Sequence, residues 1–297
     1  MRFWALAGTW AVLWSGAFIA TKTALDDGGP LTTVAIRCLG AGALLLALQP
    51  KRTWEMARRG MSGMLVVGAL NNAGYLGLMA MALPNLPAAM AAIVTSLTPV
   101  TVLVLSSLGG AALRRAQWVG CLLGVAGVAG SGMVRLGDDG TSVAGIGLGI
   151  AAVACLVAGT VLTPRLVPAG SPVAATGVQS LAGGVLCLAG AIVLEGAPAA
   201  TGQFVASQVY LVVGASMAGM TLWLMIIREF GAERAAVAHF LPPMVSMVLA
   251  MVILGEPVRL AAVVMCVPVA AGVYLATSGR RATASGAAGA PHPVSGR

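Results

Sequence analysis

The chain has 297 residues, 59% of them hydrophobic and 9% charged, with a mean hydropathy of +0.95 and a formal net charge of +8. So few charges exclude a soluble globular fold of this length, which could not cover that much apolar surface. The basic balance does not indicate nucleic acid either: the positive residues fall in short scattered segments, none a basic helix interleaved with aromatics, and that suits anionic lipid at a membrane surface.

Apolar runs fill the chain almost end to end. An α-helix needs roughly 20 apolar residues to cross about 30 Å of hydrocarbon. Runs of that order lie at 3–21, 31–48, 62–83, 86–108, 116–134, 143–163, 173–194, 208–227, 235–254 and 260–277. They predict an all-α polytopic membrane protein with ten transmembrane helices. The period-2 alternation of outer-membrane strands is absent.

The first span starts behind Arg2 and carries Trp10 and Trp14. It exceeds the apolar region of a secretory signal and no clear A-x-A cleavage site precedes Lys22 at its end, so it is expected to stay as a helix. The second carries Arg37, about six residues or roughly 9 Å below the outer surface by helical rise. The third places Gly68, Asn72, Tyr75 and Met79 at helical spacing on one face, with Asn71 beside it. Asn85 and Pro87 separate it from the fourth, which holds Thr95 and Thr98 one turn apart and then Pro99. Gly120 and Gly124 in the fifth, and Gly145 and Gly149 in the sixth, have the spacing of close helix packing, with a homodimer contact as the alternative. The seventh carries Thr176, Gln179 and Gly183, the eighth Trp223, and the ninth His239, Pro242, Pro243 and Ser246. Gly255, Glu256 and Pro257 precede the tenth, and the segment 279–297 reads as a disordered tail. All five cysteines fall within spans, with neither metal-site nor disulfide spacing.

Loop charge orients the bundle. With the N-terminus in the cytoplasm, that side receives Arg2; Lys51, Arg52, Arg58 and Arg59; Arg114 and Arg115; Arg165; Arg228 and Arg234; and Arg280, Arg281 and Arg297. Only Lys22, Arg135 and Arg259 fall outside, whereas Asp26, Asp27, Asp138, Asp139, Glu195 and Glu256 do. This bias places both termini in the cytoplasm of a cytoplasmic (inner) membrane protein.

The halves resemble each other. Matching Pro99 with Pro243 sets an offset of 144 residues, which also aligns Ala91 with Ala235 and Arg115 with Arg259. Each half holds five spans, an odd number, so the second enters the membrane inverted. The expected units are 1–138 and 139–278. Inverted repeats are typical of secondary transporters, with the solute site near the midplane between halves.

Several short motifs then converge. Trp10, Trp14, Ser15, Gly16 and Phe18 occupy the first helix, Arg37 the second, and Ser96-Leu97-Thr98-Pro99-Val100 the fourth. Gln117-Trp118-Val119-Gly120 opens the fifth, and Leu254-Gly255-Glu256 and Ala271-Gly272-Val273 mark the last two. In their order and spacing the chain resembles the drug/metabolite transporter superfamily, of the EamA-like ten-helix type, over about residues 3–278. One departure is that Gly109-Gly110-Ala111 stands where a Gly-Glu pair commonly follows the fourth helix. The resemblance implies export or uptake of small metabolites, often amino acids or drug-like compounds, commonly driven by an ion gradient. Arg37 could bind a substrate carboxylate, snorkel outward or pair with Glu256, Asp26 or Asp27; the resemblance implies a structural or gating role for it.

Polar groups at membrane depth are costly unless they face protein or a wet cavity. Trp14, Asn72, Tyr75, Thr95, Thr98, Gln179, Trp223 and His239 are therefore the candidate solute-binding residues, and Arg37 and Glu256 the gating or structural charges. Each polar residue has another reading. Threonines back-bond to their own helix, Asn72 fits interhelical glue, and His239 is either a proton-coupling group or a satisfied structural histidine. The sequence points to a secondary transporter, most simply an exporter, working by alternating access on a small solute, with a coupling ion such as H+ and no cofactor. The rivals are a non-transporting sensor or assembly protein and an intramembrane enzyme. For the enzyme, Ser131 lacks both glycines of a nucleophile elbow and His239 is the sole candidate base.

Overall fold

The structure is a computed structural model that describes residues 1–86, 94–95, 97–108, 115–133, 142–242, 244–245 and 260–277. Among the described residues, helices lie within each of the ten expected spans. They are α1 (Arg2–Ala24), α2 (Pro30–Leu48), α3 (Pro50–Asn85), α4 (Thr98–Leu108), α5 (Arg115–Met133), α6 (Val143–Leu166), α7 (Pro172–Leu194) and α8 (Gly202–Phe230). Then come α9, which opens as Ala232–Val237 and tightens to a 3-10 turn at Ala238–Phe240, and α10 (Leu260–Thr277).

Helix starts follow local chemistry. Pro30, Pro50 and Pro172 sit in first turns, where a missing N–H costs nothing. Ser142, Ser171 and Thr201 are N-caps whose hydroxyls accept from Gly145, Ala174 and Phe204 N–H. Gly231, at φ 84°, turns α8 into α9 in a conformation that favours glycine.

Two features depart from the sequence reading. First, α3 begins at Pro50, well before the expected 62. Its first turns are amphipathic, with Lys51, Arg52, Arg58 and Arg59 exposed and Met56 buried, and the helix breaks at Gly60. Polarity hid this stretch from a search for apolar runs. Second, the middles of α3 and α8 are π-helical, over Ala69–Gly77 and Leu211–Met220. The two wide segments start 142 residues apart, close to the repeat offset, so they are equivalent positions of the two halves.

Helix pairing obeys the same inverted relationship. α2 packs along α7 and α5 along α10, each helix against its own counterpart. α3 packs on α6 as α8 packs on α1, and α3 on α7 as α8 on α2. The small-residue stripes serve this packing: a Cβ on Gly272 would lie 2.4 Å from Gly120 O, and one on Gly145 would lie 2.3 Å from Asn85 O.

The loops sort to two ends. At one, Arg2 pairs with Glu229 at 3.3 Å, and Arg228 donates to the carbonyls of Gly170 and Pro168, both at 2.8 Å. At the other, Thr201 Oγ1 donates to Asp27 Oδ2 at 2.6 Å, and Ser142 N–H donates to Asn85 O at 3.1 Å. At that end the Glu195 carboxylate accepts from Leu31 and Thr32 N–H, at 2.7 and 2.8 Å, where the α2 N-terminus is positive.

Candidate functional site

Buried aromatic rings cluster where α1, α3, α8 and α9 meet. Trp10 and Trp14, four residues apart on one face of α1, stack with centroids 5.6 Å apart. Trp10 also stacks on Trp223 of α8 at 5.0 Å, and His239 of α9 sets its ring edge-on to Trp223 at 4.6 Å. Trp14 stacks on Tyr75 of α3 at 6.2 Å, with 12° between the planes. Trp14 lies near the middle of α1, and Tyr75 lies ten residues before the end of α3.

Two small cavities flank the Trp14–Tyr75 pair. One, of about 30 Å³, opens toward the ends of α1 and α3 and includes Phe18, Thr21, Val34, Arg37 and Met79 in its lining. The other, of about 10 Å³, is walled by Trp10, Asn71, Leu156, Met220, Trp223 and His239. Trp14 and Tyr75 are common to both linings.

Arg37 is 3% exposed. Its Nε donates to Ser216 Oγ at 2.8 Å, in the π segment of α8, and its guanidinium lies 5.8 Å from the Trp14 ring centre. Nη2 is buried and has no hydrogen-bond partner among the described residues. His239 Nδ1 lies 3.3 Å from Ala236 O, so the tautomer that donates there leaves Nε2 as an acceptor. Ser15 Oγ sits 2.7 Å from Ala11 O and 3.0 Å from Pro242 O, its single proton joining α1 to the proline-bearing stretch of α9.

Of the expected solute-binding residues, the structure brings Trp14, Tyr75, Trp223 and His239 together. Asn72 is buried but turned to α7, where its Cβ would lie 2.2 Å from a Cβ on Gly183; among the described residues neither amide atom has a partner. The wider π turn gives its neighbour Asn71 the cavity position. Gln179 lies behind Gly68, whose Cβ would meet Gln179 O at 2.5 Å, and borders neither cavity. Thr95 and Thr98 are buried and outside both linings. Glu256, Pro243, Ser246 and the Leu254-Gly255-Glu256 motif lie outside the described residues. Sequence reasoning left Trp10 out of the candidate solute-binding residues and passed over Ser216. The four-residue spacing of Trp10 from Trp14 was the available signal; Ser216 had none, because its neighbours are uniformly small or apolar.

Comparison with known proteins agrees with this architecture. The model of the EamA-like transporter family matches residues 3–133 and 143–278, one match per half. The uncharacterized transporter YvbV of Bacillus subtilis is 26% identical over 260 residues, covering 84% of this chain and 83% of that protein. The uncharacterized transporter sll0355 of Synechocystis is 28% identical over 207 residues, or 63% of this chain and 62% of that protein. The Escherichia coli inner membrane transporter YedA is 28% identical over 127 residues, 39% of each chain. The match thus spans less than two thirds of these last two relatives. A crystal structure with 24% sequence identity superposes with a TM-score of 0.74, covering 93% of this chain and 96% of that one, which establishes the shared fold.

Proposed function

This chain belongs to the EamA-like transporter family, and we propose that it exports a small polar or amphipathic solute, an amino acid or related metabolite, by alternating access across the cytoplasmic membrane. The observation that carries this reading is the Trp14–Tyr75 stack between two cavities, the larger lined by residues of the first half and the smaller by residues of both halves. The repeats, 1–138 and 139–278, would rock about this point, opening one cavity and then the other. The basic end that holds Arg2, Arg228 and the start of α3 faces the cytoplasm, with both termini there. The aromatic walls and few polar groups are the mixture that binds small solutes. A proton is the proposed coupling ion, with the imidazole of His239, set against Trp223, as the group that takes it up and releases it.

Paired extracellular and intracellular metabolomics on a deletion strain and an overexpressing strain test the reading. Export predicts a solute that accumulates inside the deletion strain and outside the overexpressor. The opposite pattern would make the protein an importer, and unchanged levels across all strains would contradict transport.

A further inference from the structure

We propose that Arg37 is the recognition point for a carboxylate, so that the transported solute is a small monoanionic or zwitterionic acid. The inference rests on the transporter reading above and adds the charge of the solute to it.

A buried cation without a counter-charge is expensive, and buried charges are ordinarily paired and hydrogen-bonded. Arg37 is 3% exposed, yet among the described residues no carboxylate is within ion-pair distance of it. Two acids at that end of the bundle are engaged elsewhere, Asp27 with Thr201 and Glu195 with the α2 amides of Leu31 and Thr32. One polar contact, from Nε to Ser216 Oγ, fixes the guanidinium against the Trp14 face, while Nη2 is buried without a partner among the described residues and the side chain borders the larger cavity. The arrangement is a preorganised donor edge beside a space.

The chemistry of the occupant follows. A guanidinium edge matches a planar carboxylate with two parallel hydrogen bonds. Among the described residues no Lys and no second Arg borders either cavity, so one negative charge is neutralised and a phosphate dianion would keep an excess. The remaining lining is largely apolar, including Phe18, Val34 and Met79, and suits the carbon body of such an acid. The cavity of about 30 Å³ admits only a water-sized group; the solute enters when the halves move apart and leaves Arg37 exposed to it.

The test uses the full chain in detergent and reads tryptophan fluorescence, since Arg37 lies against Trp14. It is titrated with matched carboxylate and amide pairs, such as phenylacetate and phenylacetamide, across aliphatic, aromatic and hydroxylated bodies, and with inorganic phosphate. The expected result is saturable quenching by at least one carboxylate, with its amide and phosphate at least tenfold weaker. Arg37→Gln should abolish the difference between the pair, and Arg37→Lys should restore part of it. If Arg37→Gln does not fold, the carboxylate-to-amide ratio in the wild-type protein still decides. The inference is overturned if no pair shows a carboxylate preference, if phosphate matches the acids, or if folded Arg37→Gln keeps the preference. Solute flux without carboxylate preference would overturn this inference alone; carboxylate binding without flux would overturn the transporter reading.

Discussion

Trp14 and Tyr75 stack nearly parallel, 12° apart at 6.2 Å, and are the two residues that border both cavities among the described linings. The contact joins α1 to the π segment of α3, so any motion that parts these helices also joins the two spaces. Tyr75→Leu keeps an apolar filler but removes the stacked face. Its expected effect is at least a tenfold change in solute flux, with the folded fraction on size exclusion little altered. Tyr75→Phe keeps the face and should stay within about twofold.

The two ends of α2 and α7 are tied reciprocally. Gln49, just after α2, accepts from the Oγ of Ser171, the N-cap of α7; Glu195, just after α7, accepts from the first amides of α2. Losing a cap of this kind costs about 0.5–2 kcal/mol. Glu195→Ala should lower the thermal midpoint clearly, and Glu195→Gln, which keeps an acceptor but loses the charge at a positive helix end, should lower it less. Thermal unfolding in one detergent, read by circular dichroism, measures both.

Close approach sets a second stability test. A Cβ on Gly63 would lie 2.1 Å from Leu166 O, backbone that cannot swing aside. Gly63→Ala is expected to destabilise by about 1–3 kcal/mol, as overpacking does. Gly147 has nothing within 4 Å of its Cβ position. Gly147→Ala should be neutral or stabilising by up to about 1 kcal/mol through helix propensity. Unfolding midpoints of the two variants should move in different directions from wild type.

Arg228 holds the connection between α6 and α7 by two bonds to the carbonyls of Pro168 and Gly170. Arg228→Ala frees both carbonyls. Faster amide exchange over 167–171 is expected, with α2 and α10 unaffected; unchanged exchange there would show that Met56 and Gly60 of α3 hold the loop without it.

The membrane spans were readable because each is an apolar run of crossing length, and 143–163 needed only the Ser142 cap to fix where α6 starts. The opening of α3 escaped because its periodicity is polar on one side, and apolar length was the signal being read. The amide that meets the cavity escaped for another reason. Asn72, Tyr75 and Met79 share a face at 3.6 residues per turn, but the π segment changes that register, and Asn71 takes the inner position while Asn72 turns to Gly183. No residue type announces a π turn, which arises from packing against α6 and α7. Arg37 was visible as a charge in an apolar run; its partner Ser216 is distant in sequence and became apparent only when α2 met α8.

The central claim is that solute crosses the membrane past Trp14 and Tyr75. Its most direct test is flux in liposomes that contain the purified full chain and are loaded with a pooled extract of small metabolites, with released solutes identified by mass spectrometry. The account predicts release of at least one small solute by the wild-type protein, slowed at least tenfold in folded Tyr75→Leu. Equal release from both proteins, or none above protein-free liposomes, would contradict it.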